Sequence, residues 1–356
     1  MFNRPTTFVI GAGCSAEYRL PIGDGLKDQI ADQLSVIGRR EQNRDFVVIS
    51  SRGSDEVLLS AIVQAGQRRG ERRWDLAANA MAPGIRHASS IDRYLHLHRD
   101  DGAKVGIGKI AIARAILAAE QDSILDSDRI DLPSISNKLA RKPHWLQELM
   151  FRLQEDVSLD RATDIFKNIT IITFNYDRVI EHYLYHAVRE LCGFDDAAAA
   201  DVMSHLKIIH PYGKIGHLPW QKETGGALPF GHWKNLHFSE VIEAGSRLRT
   251  FTETVEDEEL LASIRKAVQD AEQIVFLGFS FLKQNLDLLR PDTRSRASKI
   301  WFTTLGMSPF DVDASSGEIT NMLNGTNSAE LRAFKSRSLD CTAGAFMADV
   351  GNLLRS

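Results

Sequence analysis

An α/β fold, one open sheet of parallel strands with helices on both faces and a large helical insertion, is predicted by three observations on the sequence. Short β-branched apolar runs recur along the chain, and several stop at a glycine, an asparagine or a histidine. Most are followed by an apolar pattern of helical period. The runs are apolar throughout rather than alternating, which is the pattern of parallel strands covered on both faces.

Taken in order, the first strand runs from Thr6 to Ile10, followed by glycines and an amphipathic stretch from Gly25 to Leu34. From about Ser54 to Asp164 the pattern is nearly all helical, with Val57, Leu58, Leu59, Ile62 and Val63 first, then Ile110, Ala111, Ala113, Ile116 and Leu117. That divides the chain into a core of residues 1–50 and 165–356 and a helical insertion of residues 51–164. Ile169 to Phe174 is the next strand, leading into a helix that carries Val179, Ile180, Tyr183 and Leu184. Lys207 to Ile209 ends at His210, Gln273 to Leu277 ends at Gly278, Lys299 to Thr303 follows, and a last strand is expected near Ser338 to Asp340. Between His210 and Gln273 the residues Gly213, Gly216, Pro219, Gly225, Gly226, Pro229 and Gly231, interleaved with Trp220, Phe230 and Trp233, predict a long loop region with little regular structure.

A chain of 356 residues has ample core for a large domain with an insertion, or for two domains. Its net charge of -4 gives no general electrostatic reason to hold a polyanion, so direct nucleic-acid binding is not expected. Arg68, Arg69, Arg72 and Arg73 form the one basic cluster, read as a solvated helix end or loop. The three cysteines, Cys14, Cys192 and Cys341, are too few and too far apart for a disulfide framework or a four-cysteine zinc site. No metal is expected. The chain runs at once into a strand without a leader, and no apolar run reaches membrane-spanning length, so a reducing cytoplasm and no membrane are expected.

Four constellations carry chemistry. The Gly11-Ala12-Gly13-Cys14-Ser15 turn joins a buried strand to a helix, where glycine lets the backbone approach a pyrophosphate and the helix start supplies N–H donors. The same turn serves equally for tight strand–helix packing. Thr173, Asn175 and Asp177 leave the carboxyl end of the second strand, the side on which open α/β sheets bind ligands, although Asp177 is also placed to cap the next helix. His210 sits at a further strand end, where an imidazole can act as a general base, and Gly278-Phe279-Ser280 follows the strand ending at Leu277. His96 with His98 and His182 with His186 have metal-like spacings but read better as solvated helix faces.

Gly-Ala-Gly-x-Ser, then Leu20-Pro21, then Thr-x-Asn-x-Asp, a strand-end His and Gly-x-Ser, in that order, is similar to the sirtuin superfamily. Ser90-Ile91-Asp92, Thr173-Phe174-Asn175-Tyr176-Asp177 and Phe276-Leu277-Gly278-Phe279-Ser280 look more narrowly like the bacterial sirtuin-like domains of anti-phage defence systems. The resemblance spans about Phe8 to Leu305 and implies a Rossmann-like core that takes NAD+ as substrate. Two departures bear on the reaction. Protein deacylases of the family carry a four-cysteine zinc ribbon, and they have Gly-Ile-Pro-x-Phe-Arg and His-Gly where this chain has Arg19-Leu20-Pro21-Ile22-Gly23-Asp24 and His210-Pro211.

With no acyl-lysine peptide to intercept the ribosyl cation, water does so, and the resemblance implies hydrolysis of NAD+ to nicotinamide and ADP-ribose, an NAD-depleting step of defence. Carried over by position, Asn175 orients the ribose and the water, His210 acts as base, and Asp177 seats the nicotinamide. Gly11, Ala12, Gly13 and Ser15 hold the diphosphate, Gly278 and Ser280 the adenosine side, with Pro21 and Thr173 completing the cofactor-binding set. Two alternatives remain: a catalytically silent regulatory subunit that senses NAD or ADP-ribose, and a protein-lysine deacylase. Control is expected from a homo-oligomer or from a separate regulatory protein, which family analogy gives as a DNA-translocating ATPase or a short Argonaute.

Overall fold

A computed structural model describes residues 2–35, 55–71, 73–126, 143–223, 226–232, 236–327 and 331–355. Six strands form one wholly parallel sheet: β1 (Thr6–Ile10), β2 (Ile169–Thr173), β3 (Lys207–Ile209), β4 (Gln273–Leu277), β5 (Lys299–Thr303) and β6 (Ser336–Leu339). Their spatial order is β3-β2-β1-β4-β5-β6, so the sequence of strands reverses direction beside β1. This is the strand order of Rossmann-like dinucleotide-binding sheets. Right-handed crossovers then send the helices after β2 and after β4 to opposite faces.

The strand chemistry follows the position in the sheet. β1 and β4 are central and buried at every residue, Phe8, Val9 and Ile10 pairing with Val275, Phe276 and Leu277. β3 and β6 are the edges, and each leaves polar or charged residues toward solvent. Thr6, Thr7 and Gln273 are polar yet buried: Thr7 donates to the Ala267 carbonyl at 2.8 Å, and the Gln273 amide nitrogen donates to Thr6 Oγ1 at 3.2 Å and to the Leu354 carbonyl at 2.9 Å, while the Gln273 side-chain oxygen has no hydrogen-bond donor among the described residues.

The chain divides into two compact units, cut at other places than the boundaries expected at residues 50 and 164. Unit 1 is Met1–Tyr18, Arg129–Pro211 and Thr254–Ser356, and contains the whole sheet. Around the sheet it carries α1 (Ala12–Ala16), then, after unit 2's α2 to α6 described below, α7 (Trp145–Leu153), α8 (Val179–Cys192) and α9 (Asp196–Ser204). Unit 2 is Arg19–Asp128 and Tyr212–Glu253. It holds α2 (Gly23–Ser35), α3 (Glu56–Arg68), α4 (Trp74–His87), α5 (Ile91–Leu97), α6 (Gly102–Asp122) and α10 (Phe238–Ser246). The chain continues with α11 (Phe251–Glu256) across the unit boundary, and unit 1 is completed by α12 (Glu258–Asp270), α13 (Lys283–Leu289), α14 (Pro309–Leu323) and α15 (Ala343–Arg355). So α7 of the expected insertion clusters with the sheet, while Tyr212–Glu253 of the expected core clusters with the helices.

Unit 2 is assembled by interlocking helices. Trp74 is buried against Gly66 of α3 and Gly106 of α6, and a Cβ on either glycine would stand 2.8 Å or 2.6 Å from the indole. Arg69 lies over the same ring, with 5.6 Å from guanidinium to ring centre, which ties down part of the basic cluster; Arg72 falls outside the described residues. Ser90 caps α5 by accepting from the Arg93 N–H at 3.0 Å, so Ser90-Ile91-Asp92 has a local structural role.

One expectation is corrected here. The stretch between His210 and Gln273 is irregular in the described parts of Tyr212 to His237, but Phe238 to Asp270 is almost continuously helical. The glycines and prolines that suggested a loop end at Gly231. Beyond them His237 and Glu240 form a capping box on α10, and Asp257 caps α12 by accepting from the Leu260 N–H at 3.0 Å. Trp233 and Gly225 of that stretch, and Ser54 at the start of the expected insertion, lie outside the described residues.

Candidate functional site

The ends of β1, β2, β3 and β4 each deliver one sequence motif to the carboxyl edge of the sheet, and all four belong to unit 1. Pro21 belongs to unit 2, ahead of α2.

At the end of β1 the glycine turn is packed against the turn after β4. The N–H of Gly11 donates to the Leu277 carbonyl at 3.0 Å and that of Gly13 to the Gly278 carbonyl at 3.1 Å, while Cys14 N–H bonds back to Gly11 at 3.0 Å. A Cβ on Gly11 would stand 2.7 Å from Phe279 Cα, one on Gly13 2.8 Å from Gly278 Cα, and one on Gly278 2.5 Å from Cys14 N. Gly278 also needs a left-handed φ of 55°. The glycines are thus required by contact between two strand ends at the reversal point of the sheet, and three of the turn's N–H groups are used inside the protein. The helix that follows, α1, is only five residues long, so its dipole is small. Gly13 and Ser280 are exposed, Ala12 partly so, and Cys14 is fully buried, with burial pushing its thiol well above the ordinary range.

At the end of β2, Asn175 is buried and held from both sides. Its side-chain amide donates to Ser15 Oγ at 2.8 Å and to the Gly11 carbonyl at 3.2 Å, and its own N–H donates to Thr173 Oγ1 at 3.3 Å. Thr173 and Ser15 are buried as well. Asp177, also buried, accepts from the Val179 N–H at 3.1 Å and so caps α8. Arg178 beside it is fully buried.

At the end of β3, Pro211 fixes where the strand stops, because a residue before proline is held extended and proline has no N–H for a further ladder bond. The Pro211 carbonyl accepts from the buried Thr254 hydroxyl at 2.7 Å, which anchors the loop beyond His210. His210 Nε2 lies 3.1 Å from Oε1 of Glu181, and Nδ1 lies 3.3 Å from the backbone carbonyl of Asn175. Both side chains of this pair are nearly closed to solvent, 9% exposed for His210 and 3% for Glu181. Ser15, Asn175, His210 and Glu181 therefore form one chain of polar contacts across the ends of three neighbouring strands.

Glu181 is the residue that sequence reasoning missed. Its signal was present: it stands four residues after Asp177, in the first turn of α8, on the helical face that turns back toward the strand ends. His182 is a correction: it is buried, and it meets His186 edge to face at 4.6 Å rather than lying on a solvated helix face. Burial lowers the pKa of His186. Among the described residues no group of His, Cys, Asp and Glu is arranged to hold a metal ion, and no helix is long and apolar enough to cross a membrane.

Glu17, two residues beyond Ser15, anchors the turn from behind. Its carboxylate accepts from the Trp145 N–H at 3.0 Å and from the Gly344 N–H at 2.7 Å, capping α7 and α15 together. Next to it the fully buried Tyr18 accepts from the Leu146 N–H at 3.2 Å. The position of Ser15 is thereby set by two helices as well as by β1.

No protein-family model matches the chain, and no curated protein is similar to it. Among solved structures it is similar to a mutant Sir2 homologue in complex with 2'-O-acetyl ADP ribose, at 13% identity over 98% of this chain and 91% of that one, with a TM-score of 0.35. The α/β assignment rests on the parallel sheet and its strand order.

Proposed function

We propose that the chain is an NAD+ hydrolase that cleaves the bond between nicotinamide and ribose to give nicotinamide and ADP-ribose. The observation that carries this reading is the buried chain Ser15–Asn175–His210–Glu181 at the carboxyl edge of a sheet of dinucleotide-binding order. It joins the motifs whose order along the sequence resembles the sirtuin superfamily. Asn175 orients the ribose and the water, His210 acts as base toward a ribose hydroxyl or the water, and Asp177 helps seat the nicotinamide. Gly11, Ala12, Gly13 and Ser15 face the diphosphate, with Thr173 in the same binding set, and Gly278 and Ser280 face the adenosine side. The absence of four cysteines in the sequence speaks against a lysine deacylase built like its relatives. NAD depletion in defence against phage, in the cytoplasm and under control of self-assembly or a separate regulatory protein, is the role in which such an activity belongs.

One observation favours a second reading, a silent sensor of NAD or ADP-ribose: the Asn175 amide and both ring nitrogens of His210 already face protein atoms. The two readings separate in one experiment. The pure protein is incubated with NAD+, alone and with the product of the neighbouring gene, and the mixture is resolved by chromatography. Nicotinamide and ADP-ribose are expected in equal amounts; NAD+ that binds and stays intact leaves the sensor.

A further inference from the structure

We infer that Glu181 is a positioning residue that fixes the tautomer and the orientation of His210, holding the ring hydrogen on Nε2. The catalytic consequence of this inference rests on the hydrolysis reading; the pairing itself does not.

The geometry distinguishes the two ring nitrogens. Nε2 lies 3.1 Å from a carboxylate oxygen that only accepts, so in the neutral ring the hydrogen sits on Nε2 and points at Glu181. Nδ1 then carries the lone pair. Its neighbour, the Asn175 carbonyl at 3.3 Å, is also an acceptor only, and this contact becomes a hydrogen bond once Nδ1 has received a proton. The ring thus stands between two acceptors, and the carboxylate, being charged, has the stronger hold on the single ring hydrogen. Burial of both side chains, at 9% and 3% exposure, keeps the bulk solvent from weakening that preference.

Glu181 reaches His210 because both are held by covalent neighbours of the site. Asp177 caps α8 and so sets where Glu181 emerges, one helical turn on, while Pro211, tethered through Thr254, sets the end of β3. In the hydrolysis itself, the C–N bond to nicotinamide breaks with its electron pair going to nicotinamide. The water oxygen bonds to the ribose carbon, and the water proton is released to solvent, with His210 as the base that Glu181 orients. Asn175 takes part twice: its side chain is held by Ser15, and its carbonyl lies against Nδ1 of His210.

A carboxylate-bonded imidazole N–H that is shielded from solvent gives a proton resonance far downfield of the amide region. The test is to record that region for the wild-type chain, His210→Ala, Glu181→Gln and Glu181→Ala, and to measure kcat and KM for NAD+ in parallel. One downfield resonance is expected in the wild type, absent from His210→Ala and from Glu181→Ala, and moved upfield in Glu181→Gln, whose neutral amide oxygen still accepts. kcat is expected to fall about 100-fold or more in Glu181→Ala, and less in Glu181→Gln, with KM little changed, in the range that loss of general acid–base assistance produces. No resonance common to His210 and Glu181, or wild-type kcat in folded Glu181→Ala, overturns the inference. A wild-type chain that shows the resonance but leaves NAD+ intact upholds the pairing and removes the hydrolysis reading instead.

Discussion

The side-chain amide of Asn175 donates to the hydroxyl of Ser15 at 2.8 Å, which ties the end of β2 to the turn after β1. Both residues are buried, so the bond is also a constraint on stability. Ser15→Ala removes the acceptor and leaves a buried N–H with the Gly11 carbonyl alone, at an expected cost of about 1–3 kcal/mol. Urea denaturation checks this, and a midpoint unchanged from the wild type would refute it.

For the activity, Asn175→Ala and His210→Ala are each expected to abolish NAD+ turnover while leaving a folded chain. Circular dichroism and thermal melting establish the fold, and the product assay reads the turnover. Wild-type loss of NAD+ in either folded variant removes that residue from the mechanism.

The contact between the glycine turns predicts a graded series. Gly278→Ala meets both a left-handed φ and the backbone of Cys14 at 2.5 Å, whereas Gly193→Ala, with a φ of 66° and open space around it, meets the backbone preference alone. The left-handed conformation costs an L-residue about 1–2 kcal/mol, and forcing an extra methyl into a packed site about 1–3 kcal/mol more. Gly278→Ala is therefore expected to be the less stable of the two by denaturant unfolding, and equal midpoints would show that the two strand ends can part.

Glu17 predicts a pH dependence. Burial raises its pKa from the ordinary value of 4.5, against the lowering effect of the Gly344 and Trp145 N–H groups. In the window between 4.5 and the raised value the folded chain holds the proton more tightly than the unfolded chain. The contribution of Glu17 to stability is therefore fully present below 4.5, falls as pH rises through that window, and is constant above it. Glu17→Gln is expected to flatten that part of the curve of urea midpoint against pH; a curve of unchanged slope would refute the assignment. Glu17→Ala, which strips the caps from α7 and α15, is expected to cost about 1–3 kcal/mol at neutral pH.

The strands were legible because buried parallel strands are written in β-branched runs: Lys207–Ile209, Gln273–Leu277 and Lys299–Thr303 stand where the sequence puts them. The motifs at the strand ends were legible for the same reason, since the end of a recognised strand locates Asn175 and His210 at one edge. Three kinds of information were not. The helices α10 and α12 were hidden by the glycines and prolines upstream, whose local effect stops at the caps His237 and Asp257. The division of the chain was hidden because Tyr212–Glu253 clusters with residues far from it in sequence, and periodicity within a segment carries no record of its distant partners. Glu181 was passed over because a lone carboxylate on a helix reads as solvated until a strand end is found beside it.

The place of β1 in the sheet sets the order in which this protein can be made. Thr6 leaves the ribosome well before its neighbours on either side, Ile169 and Gln273, which emerge only after whole helices have been synthesised between them. The central strand must wait for both flanks, and a sheet dominated by such distant pairings closes slowly. Until β4 is translated, the backbone edge of β1 that will pair with it stays open, an unpaired strand edge of the kind that exposes a folding chain to aggregation.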